Sequence, residues 1–308
     1  MNKNTLIIVV GTTAIGKTAK AIQLAQHFNC DVVSFDSRQF YKEMSIGTAV
    51  PSQEELAAVP HHFIQHKSIF ETYTVGDFER EAIQKLDALF AKNPVQVMVG
   101  GSGLYMDAVI RGFDDFPEVD QQVRQNIRAE YEKNGISHLQ YLLKQVDGEY
   151  YKTLKKENPQ TLENPQRLMR FIEVSVSSGK PYSSFLNQKK NSRNFTSIIV
   201  GLEAERHITY QRINDRVDLM VADGLIAEAR ELYPHKELNA LQTVGYRELF
   251  EYFNDKLSLE KAIDLIKMNT RRFAKRQLTW FQRNPDTIWF DYKMPASEII
   301  QRIEEKKE

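Results

Sequence analysis

The sequence predicts an α/β protein in which a parallel sheet, flanked by helices, carries an inserted all-helical domain. In the first part of the chain, short apolar runs rich in β-branched residues alternate with apolar residues at helical spacing, as in buried parallel sheets. From about residue 113 to 194 only helical spacing continues, and an apolar run returns at 196–200. We therefore predict a core domain of residues 1–112 and 195–308 and an inserted helical domain of residues 113–194.

Local signals delimit each predicted element. Asn164 followed by Pro165 marks a helix start, and Gly224 marks a helix end. Predicted strands lie at 6–10, 31–35, 95–99, 196–200 and 288–290. Predicted helices lie at 19–28, 77–91, 104–110, 207–222, 225–232, 246–253, 259–280 and 295–305 in the core, and at 121–133, 137–146, 150–154 and 165–177 in the insert.

The composition is that of a globular protein. Of 308 residues, 42% are hydrophobic and 27% are charged, and the formal net charge is zero, which argues against a surface that generally attracts polyanions. No apolar run approaches the length of a bilayer span, and the first strand begins almost at once, so we expect a cytoplasmic protein without a signal peptide or a membrane partner. We also expect a monomer. The single cysteine, Cys30, excludes an intrachain disulfide and a cysteine-based metal site.

A glycine-rich loop follows the first predicted strand and precedes the first predicted helix. Such a loop turns tightly and presents backbone N–H groups to phosphate oxygens at the positive end of the helix, as in the P-loop NTPase-like fold. Lys17 would reach the phosphates, and the Thr18 hydroxyl would bind Mg²⁺. The predicted diphosphate-binding residues are Gly11, Thr12, Thr13, Ala14, Ile15, Gly16, Lys17 and Thr18. The loop alone does not distinguish kinases and NTPases from enzymes that use a diphosphate ester.

Polar and glycine residues follow two further predicted strands. Asp36 comes directly after the strand at 31–35, so it is expected beside the phosphate loop, where a carboxylate can bind Mg²⁺ through water or accept a proton. The turn at 100–103, Gly-Gly-Ser-Gly, follows the strand at 95–99 and is expected at the same edge. For the histidines at 61, 62 and 66 we favour a polar loop lining a cleft over a metal site, because no fourth ligand is evident.

Basic residues cluster in two parts of the chain. The segment 267–283 contains no acidic residue and mixes cations with aromatic residues, as a nucleic-acid-facing helix does. Solvated helix faces have the same composition, so both interpretations stay open for each cluster. The second cluster comprises Arg167, Arg170, Lys180, Lys189, Lys190 and Arg193.

Six motifs, in order along nearly the whole chain, resemble the tRNA dimethylallyltransferase family. They are the segments 36–51, 100–105, 164–170, 212–216, 244–247 and 274–280. Four residues depart from the family pattern, namely Val50 for Lys, Ser102 for Thr, Gln242 for Arg and Glu248 for Gln. These departures concern details of tRNA contact and leave the expected reaction unchanged.

The resemblance implies transfer of a dimethylallyl group from dimethylallyl diphosphate to N6 of the adenosine just 3′ of the anticodon, position 37, in tRNAs that read codons beginning with U. The implied partner is the tRNA anticodon stem-loop, and the implied cofactor is Mg²⁺ on Thr18. Thr13, Lys17 and Arg216 would hold the departing diphosphate, and Asp36 would accept the N6 proton. The nucleoside must be turned out of the loop to reach such a site.

The resemblance also implies the residues that contact tRNA. Around the extruded adenosine these are Asp36, Ser37, Arg38, Gln39 and Ser102. From the insert they are Arg124, Gln166, Arg167, Leu168, Met169 and Arg170, and from the second half of the core they are Gln242, Thr243, Val244, Gly245, Tyr246 and Arg247.

Three other functions use parts of the same pattern. A small-molecule kinase of the nucleotide or shikimate type would bind ATP at the phosphate loop, but it does not need a helical insert with pairs of arginines. A prenyltransferase acting on free adenylate would likewise have little use for the insert. An RNA-binding module without catalytic activity would keep the basic clusters but would need neither Asp36 nor Thr18.

Overall fold

The computed structural model describes residues 4–186 and 192–307. The chain divides into two compact units, one formed by Met1–Arg111 with Ser192–Glu308 and the other by Gly112–Asn191. Lys189 and Lys190 of the second basic cluster lie outside the described residues. Within the described ranges, no helix is long and apolar enough to cross a bilayer.

The first unit, called the core unit, is built on a parallel sheet. Over residues 4–186 and 192–307 the sheet has six strands. The central strand is buried on both faces, with Leu6 to Val10 fully inaccessible, which explains its continuous apolar run. All strand pairs are parallel, and the predicted fold class is confirmed. The strands are β1 (Asn4–Gly11), β2 (Val32–Ser34), β3 (His61–His62), β4 (Val95–Val99), β5 (Phe195–Glu203) and β6 (Ile288–Asp291). Their order across the sheet is β3-β2-β4-β1-β5-β6.

Helices of the core unit cover both faces of the sheet through separate apolar clusters. In chain order the α-helices of the described residues are α1 (Lys17–Phe28), α2 (Gln53–Ala58), α3 (Val75–Phe90), α4 (Gly103–Arg111), α5 (Gln121–Asn134), α6 (Ile136–Val146), α7 (Gly148–Glu157), α8 (Pro165–Ser178), α9 (Arg206–Ala222), α10 (Leu225–Leu232), α11 (Tyr246–Phe253), α12 (Leu259–Phe281) and α13 (Ala296–Lys307). The face with α1 and α13 buries Ile22, Leu24, Ile299 and Ile303 against the sheet. The other face, which includes α3, α4 and α10 to α12, carries the larger cluster.

Over its described residues, 112–186, the second unit, called the insert, has helices as its only regular elements, and these include α5 to α8. The Asn164 side chain accepts a hydrogen bond from the backbone N–H of Arg167, and Pro165 takes the first helical position, so α8 begins where its sequence signal lies. Leu139, Leu143 and other apolar side chains from these helices form a separate core. The insert therefore has its own hydrophobic interior.

The histidines at 61–66 do not form the polar loop that the sequence predicts. His61 and His62 make the two-residue strand β3, which pairs in parallel with β2 and is too short to show an alternating pattern. The imidazole of His62 bonds Asp31 at 2.8 Å. His66 packs edge-on against aromatic rings that include Phe40, and burial lowers its pKa to about 4. Across the described ranges no cluster of three or more His, Cys, Asp or Glu residues suits a metal ion.

Candidate active site

The loop between β1 and α1 has the conformation that its glycines predict. Gly11 has a φ of 147°, and a Cβ there would come within 2.6 Å of the Leu202 carbonyl oxygen, so only glycine fits. Gly16 has a φ of 103° and is the N-cap residue of α1. The Lys17 Nζ donates to the Thr12 carbonyl at 2.8 Å. Because α1 starts at Lys17, the loop directs the positive end of the helix toward any ligand it holds.

Three cations interact electrostatically with the Asp36 carboxylate. Burial lowers the pKa of Lys17 to about 8, while the charge of Asp36 opposes that shift and Arg216 adds to it. Burial likewise lowers the pKa of Arg216 and of Arg38, and Asp36 again opposes both shifts. One carboxylate therefore faces three partly desolvated positive groups. The excess of positive charge favours an anionic ligand.

The turn after β2 places the predicted adenosine-contacting residues beside the turn after β4. The Asp36 carboxylate accepts a hydrogen bond from the backbone N–H of Arg38 at 3.2 Å, and this bond orients the carboxylate. Ser102 Oγ accepts from the Ser37 N–H at 3.1 Å and lies 3.0 Å from the Ser37 hydroxyl. The structure therefore brings Asp36, Ser37 and Ser102 together.

Gln39, the fourth predicted residue of this turn, is engaged within the protein. Its side-chain amide donates to the Ala49 carbonyl at 2.8 Å and to the Thr48 carbonyl at 3.4 Å. Both acceptors lie in the segment that follows Tyr41 and precedes α2. Gln39 therefore stabilises that segment.

A cavity of about 350 Å³, called the Asp36 cavity, joins the candidate catalytic groups. Thr13, Asp36 and Arg216 all line it. An Arg216 guanidinium N–H lies 3.5 Å from the Thr13 hydroxyl oxygen. Apolar side chains complete part of the wall, namely Ile213, Val217, Met220, Leu225, Ile266 and Phe273. The cavity thus combines a carboxylate, a cation and an apolar lining.

A second cavity of about 580 Å³, called the phosphate-loop cavity, lies at the start of α1. Lys17 and Thr18 line it, together with the Glu55 carboxylate. Arg216 and Met220 line both cavities. Arg216 can therefore act on ligand groups in either cavity.

The segment 242–247 contributes residues that line a cavity and one fully buried side chain. Gln242, Thr243, Val244, Gly245 and Arg247 line the Asp36 cavity. Tyr246 is completely buried, and its hydroxyl donates to the Glu228 carboxylate at 2.6 Å. The expectation that the Tyr246 side chain contacts tRNA is corrected, because no part of that side chain reaches the surface.

Glu228 holds a loop that borders both cavities. Besides the Tyr246 hydroxyl, its carboxylate accepts from the backbone N–H groups of Ser45, Ile46 and Gly47 at 2.9, 2.8 and 2.9 Å. Gly47 lines the Asp36 cavity, and the other two residues line the phosphate-loop cavity. A Cβ at Gly47 would come within 2.6 Å of the Tyr246 ring, so this packing requires glycine.

The predicted tRNA-contacting residues of the insert differ in exposure. Gln166 and Arg167 are exposed on the first turn of α8. The Arg170 guanidinium lies over the Phe116 ring, 5.5 Å from its centre, and burial lowers the pKa of Arg170. Arg124 pairs with Glu173 at 3.6 Å.

Two other predicted residues of α8 belong to the interior of the insert. Leu168 is completely buried, so its predicted contact with tRNA is corrected and its role is packing. Met169 is partly buried against the same apolar core.

The basic segment of α12 divides into exposed and bound residues. Lys275 and Arg276 are exposed. Lys267 instead pairs with Asp218 at 2.6 Å. The Trp280 indole N–H donates to Asp107 at 3.0 Å. The Trp280 ring packs so closely on Gly103 that a Cβ there would come within 2.2 Å of it. The absence of a side chain at Gly103 thus lets Trp280 of α12 pack against it.

Three residues of the site were not assigned a role from the sequence. Arg212 donates from Nε to the Ala14 carbonyl at 2.8 Å. Gln277 donates to the Gly101 carbonyl and accepts from the Thr13 N–H. Arg212 and Gln277 lie within the family-like motifs 212–216 and 274–280, so these motifs could have indicated that both residues belong to the site. Glu228 lies in none of the motifs.

The chain is similar to proteins of one group throughout its length. A family described as IPP transferase matches residues 39–284. A tRNA dimethylallyltransferase of Flavobacterium psychrophilum is 62% identical over 303 residues, 98% of this chain and 99% of that protein. The structure of the full-length tRNA isopentenylpyrophosphate transferase from Bacillus halodurans aligns with a TM-score of 0.72 and 35% identity, covering 99% of this chain and 97% of that one. A eukaryotic dimethylallyltransferase acting on tRNA aligns with a TM-score of 0.78 and 26% identity over 94% of this chain and 74% of that one.

Proposed function

The chain belongs to the IPP transferase family, and we propose that it transfers the dimethylallyl group of dimethylallyl diphosphate to N6 of the adenosine 3′ to the anticodon, position 37, in tRNAs that read codons beginning with U. The products are N6-(dimethylallyl)adenosine in tRNA and free diphosphate. A single observation carries the proposal: Thr13, Asp36 and Arg216 line one cavity beside the phosphate loop. This arrangement provides a place for a leaving anion next to a group that can accept a proton.

The leaving group needs stabilisation first. As the bond between C1 of the dimethylallyl group and the diphosphate oxygen breaks, positive charge develops on carbon and negative charge on the diphosphate. Lys17, Arg216 and the loop N–H groups supply fixed positive charge for the diphosphate. The apolar wall of the Asp36 cavity suits the five-carbon group and keeps water from the allylic carbon.

The nucleophile needs a base. The lone pair of an adenine N6 is delocalised into the ring, so the amine attacks effectively only when a proton leaves it as the new N–C bond forms. The Asp36 carboxylate is oriented by the Arg38 N–H and can accept that proton. The N6–C1 bond thus replaces the C1–O bond, the electron pair of the old bond stays with diphosphate, and the proton moves to Asp36.

Oxygen donors suited to Mg²⁺ line the phosphate-loop cavity. They include the Thr18 hydroxyl and the carboxylates of Glu55 and Asp223, and Mg²⁺ characteristically combines one or two such ligands with phosphate oxygens and water. We propose that Thr18 binds Mg²⁺ when the diphosphate is present. The ion would neutralise part of the charge that develops on the leaving group.

The acceptor is proposed to be a tRNA loop. Ser37 and Ser102 lie beside Asp36, where they can bind the edges of an extruded base. Arg167 of the insert and Arg247 of the core unit are exposed cations that can bind phosphates. We also propose that the protein acts as a cytoplasmic monomer, and light scattering at micromolar concentration tests the oligomeric state.

The proposal is tested with two acceptor substrates and with a variant of the proposed general base, Asp36. With labelled dimethylallyl diphosphate and Mg²⁺, label should enter unmodified tRNA and not AMP. Asp36→Asn keeps the shape of the side chain but removes its basicity, so kcat should fall about 10²- to 10⁴-fold. Asp264→Asn, an exposed change on α12, is the matched control. Turnover of Asp36→Asn within a few-fold of wild type would rule out Asp36 as the base.

A further inference from the structure

We propose that Gln277 is a positioning residue that fixes Thr13 of the phosphate loop relative to the turn beside Asp36. The inference rests on the proposed function, because it concerns the alignment of the diphosphate with the base. Gln277 lies on α12 and is only 5% exposed. It contacts the loop and the turn, and it lines neither the Asp36 cavity nor the phosphate-loop cavity.

The amide of Gln277 bridges two segments that are distant in sequence. Its oxygen accepts from the Thr13 N–H at 2.9 Å, and its nitrogen donates to the Gly101 carbonyl at 2.9 Å. Each bond satisfies a backbone group, and the bond to the Gly101 carbonyl is buried, where an unpaired carbonyl is costly. One side chain therefore ties the loop after β1 to the turn after β4.

Gly101 places that bridge next to the proposed base. A Cβ at Gly101 would come within 2.3 Å of the Gln277 amide nitrogen and within 3.5 Å of an Asp36 carboxylate oxygen. The Gly101 backbone is thus adjacent to both side chains. A shift of Gln277 is transmitted to the turn that borders Asp36.

The bridge also decides how Thr13 can bind the diphosphate. Its N–H already donates to Gln277, so this N–H is not available to a phosphate oxygen. The Thr13 hydroxyl remains within 3.5 Å of the Arg216 guanidinium. We infer that Thr13 binds the diphosphate through its hydroxyl and that Gln277 sets the position of that hydroxyl.

The bridge requires an acceptor and a donor at the two ends of one flat group. An ionised carboxylate at position 277 would accept from Thr13 but would repel the Gly101 carbonyl. A protonated carboxyl has both a C=O and an O–H, so it can replace the amide. Burial favours the protonated form of a carboxyl. Gln277→Glu is therefore expected to lose the bridge at high pH and regain it at low pH.

The experiment compares Gln277→Met and Gln277→Glu with wild type. Gln277→Met fills a similar volume without hydrogen bonds, and kcat for prenyl transfer should fall about 10- to 100-fold while KM for tRNA stays close to that of wild type. For Gln277→Glu, the ratio of its kcat to the wild-type kcat should rise by up to about tenfold per unit as the pH falls through the pKa of the introduced carboxyl. Gln301→Met, an exposed change on α13, is the control.

Two kinetic outcomes would overturn the proposal. One is a wild-type kcat for Gln277→Met. The other is a pH-independent activity ratio for Gln277→Glu alongside a loss of thermal stability, which is what a purely structural role predicts. If Gln277→Met does not fold, the pH series of Gln277→Glu decides.

A binding measurement separates this proposal from the proposed function. Titration calorimetry with inorganic diphosphate requires no turnover, and Gln277→Met should bind diphosphate about tenfold more weakly than wild type because the Thr13 hydroxyl is displaced. If wild type binds diphosphate but transfers no prenyl group, the proposed function fails, and this comparison still tests Gln277. Unchanged affinity would then reject its role.

Discussion

Replacing Glu228 with glutamine should destabilise the core unit and loosen the loop at 45–47. The carboxylate accepts four hydrogen bonds, three from backbone N–H groups of that loop and one from the Tyr246 hydroxyl. Burial and the charge of Glu228 raise the pKa of Tyr246, so its hydroxyl stays protonated and serves as the donor. An amide keeps one accepting oxygen and turns an NH₂ group toward the remaining donors.

The expected magnitude follows from those bonds. Rotation of the Tyr246 hydroxyl lets its oxygen accept from the new NH₂ group, but at least one backbone N–H loses its partner. The Ile46 and Gly47 N–H groups are partly buried, and losing the partner of such a donor costs about 1–3 kcal/mol. For a unit of this size, 1 kcal/mol corresponds to about 2–4 °C in Tm. We therefore expect Tm to fall by about 2–12 °C for Glu228→Gln.

The assay combines thermal and urea unfolding with donor kinetics. Glu231→Gln changes an exposed residue on the same helix, α10, and should alter the free energy of unfolding by no more than about 0.5 kcal/mol. The KM for dimethylallyl diphosphate should rise only in Glu228→Gln, because the loop borders both cavities. A double-mutant cycle with Tyr246→Phe should give a coupling energy of about 0.5–3 kcal/mol. The reasoning is refuted if Glu228→Gln unfolds with the wild-type free energy and keeps the wild-type KM.

Two further predictions concern charge. Arg167→Gln should raise the KM for tRNA and reduce the slope of log KM against log salt by about 1. The control, Arg128→Gln, removes an exposed cation paired with Glu132 on α5 and should leave both quantities unchanged. Equal slopes for wild type and both variants would assign Arg167 a structural role. Burial lowers the pKa of Lys17 to about 8 from the ordinary 10.5. Between these two pH values the unfolded chain binds more protons than the folded chain. The free-energy cost of burying the Lys17 charge therefore disappears as pH rises from 8 to 10.5. A bound diphosphate favours the charged amine, so binding near pH 8.5 should take up protons, as measured by calorimetry in buffers of different ionisation enthalpy; equal uptake by Lys17→Met would contradict this.

The parts of the fold with local signals were predictable from the sequence. A few neighbouring residues are enough to predict each of three elements, namely the continuous apolar run of β1, the glycine loop and the helix cap at Asn164. Strand β3 was missed because two residues cannot display a period. Its pairing depends on β2, which the local pattern at His61 and His62 does not encode.

The candidate site was predictable only where sequence position implies strand-end placement. Asp36 and the phosphate loop meet because carboxyl ends of parallel strands share one edge of the sheet. Glu228 could not be found in this way, because its backbone partners lie 181 to 183 positions earlier in the chain. Tyr246 shows the converse limit, since a motif residue expected at the surface proved to be the buried partner of Glu228.

The most direct test of the account follows the fate of the five-carbon group. Wild-type protein is incubated with Mg²⁺, unmodified tRNA, ATP and dimethylallyl diphosphate labelled in its carbon skeleton, and the tRNA is then digested and its nucleosides are separated. The account predicts label on N6 of the adenosine 3′ to the anticodon, with one diphosphate released for each group transferred and no consumption of ATP. Rapid hydrolysis of ATP, or a phosphorylated product, with no label in the tRNA would contradict it.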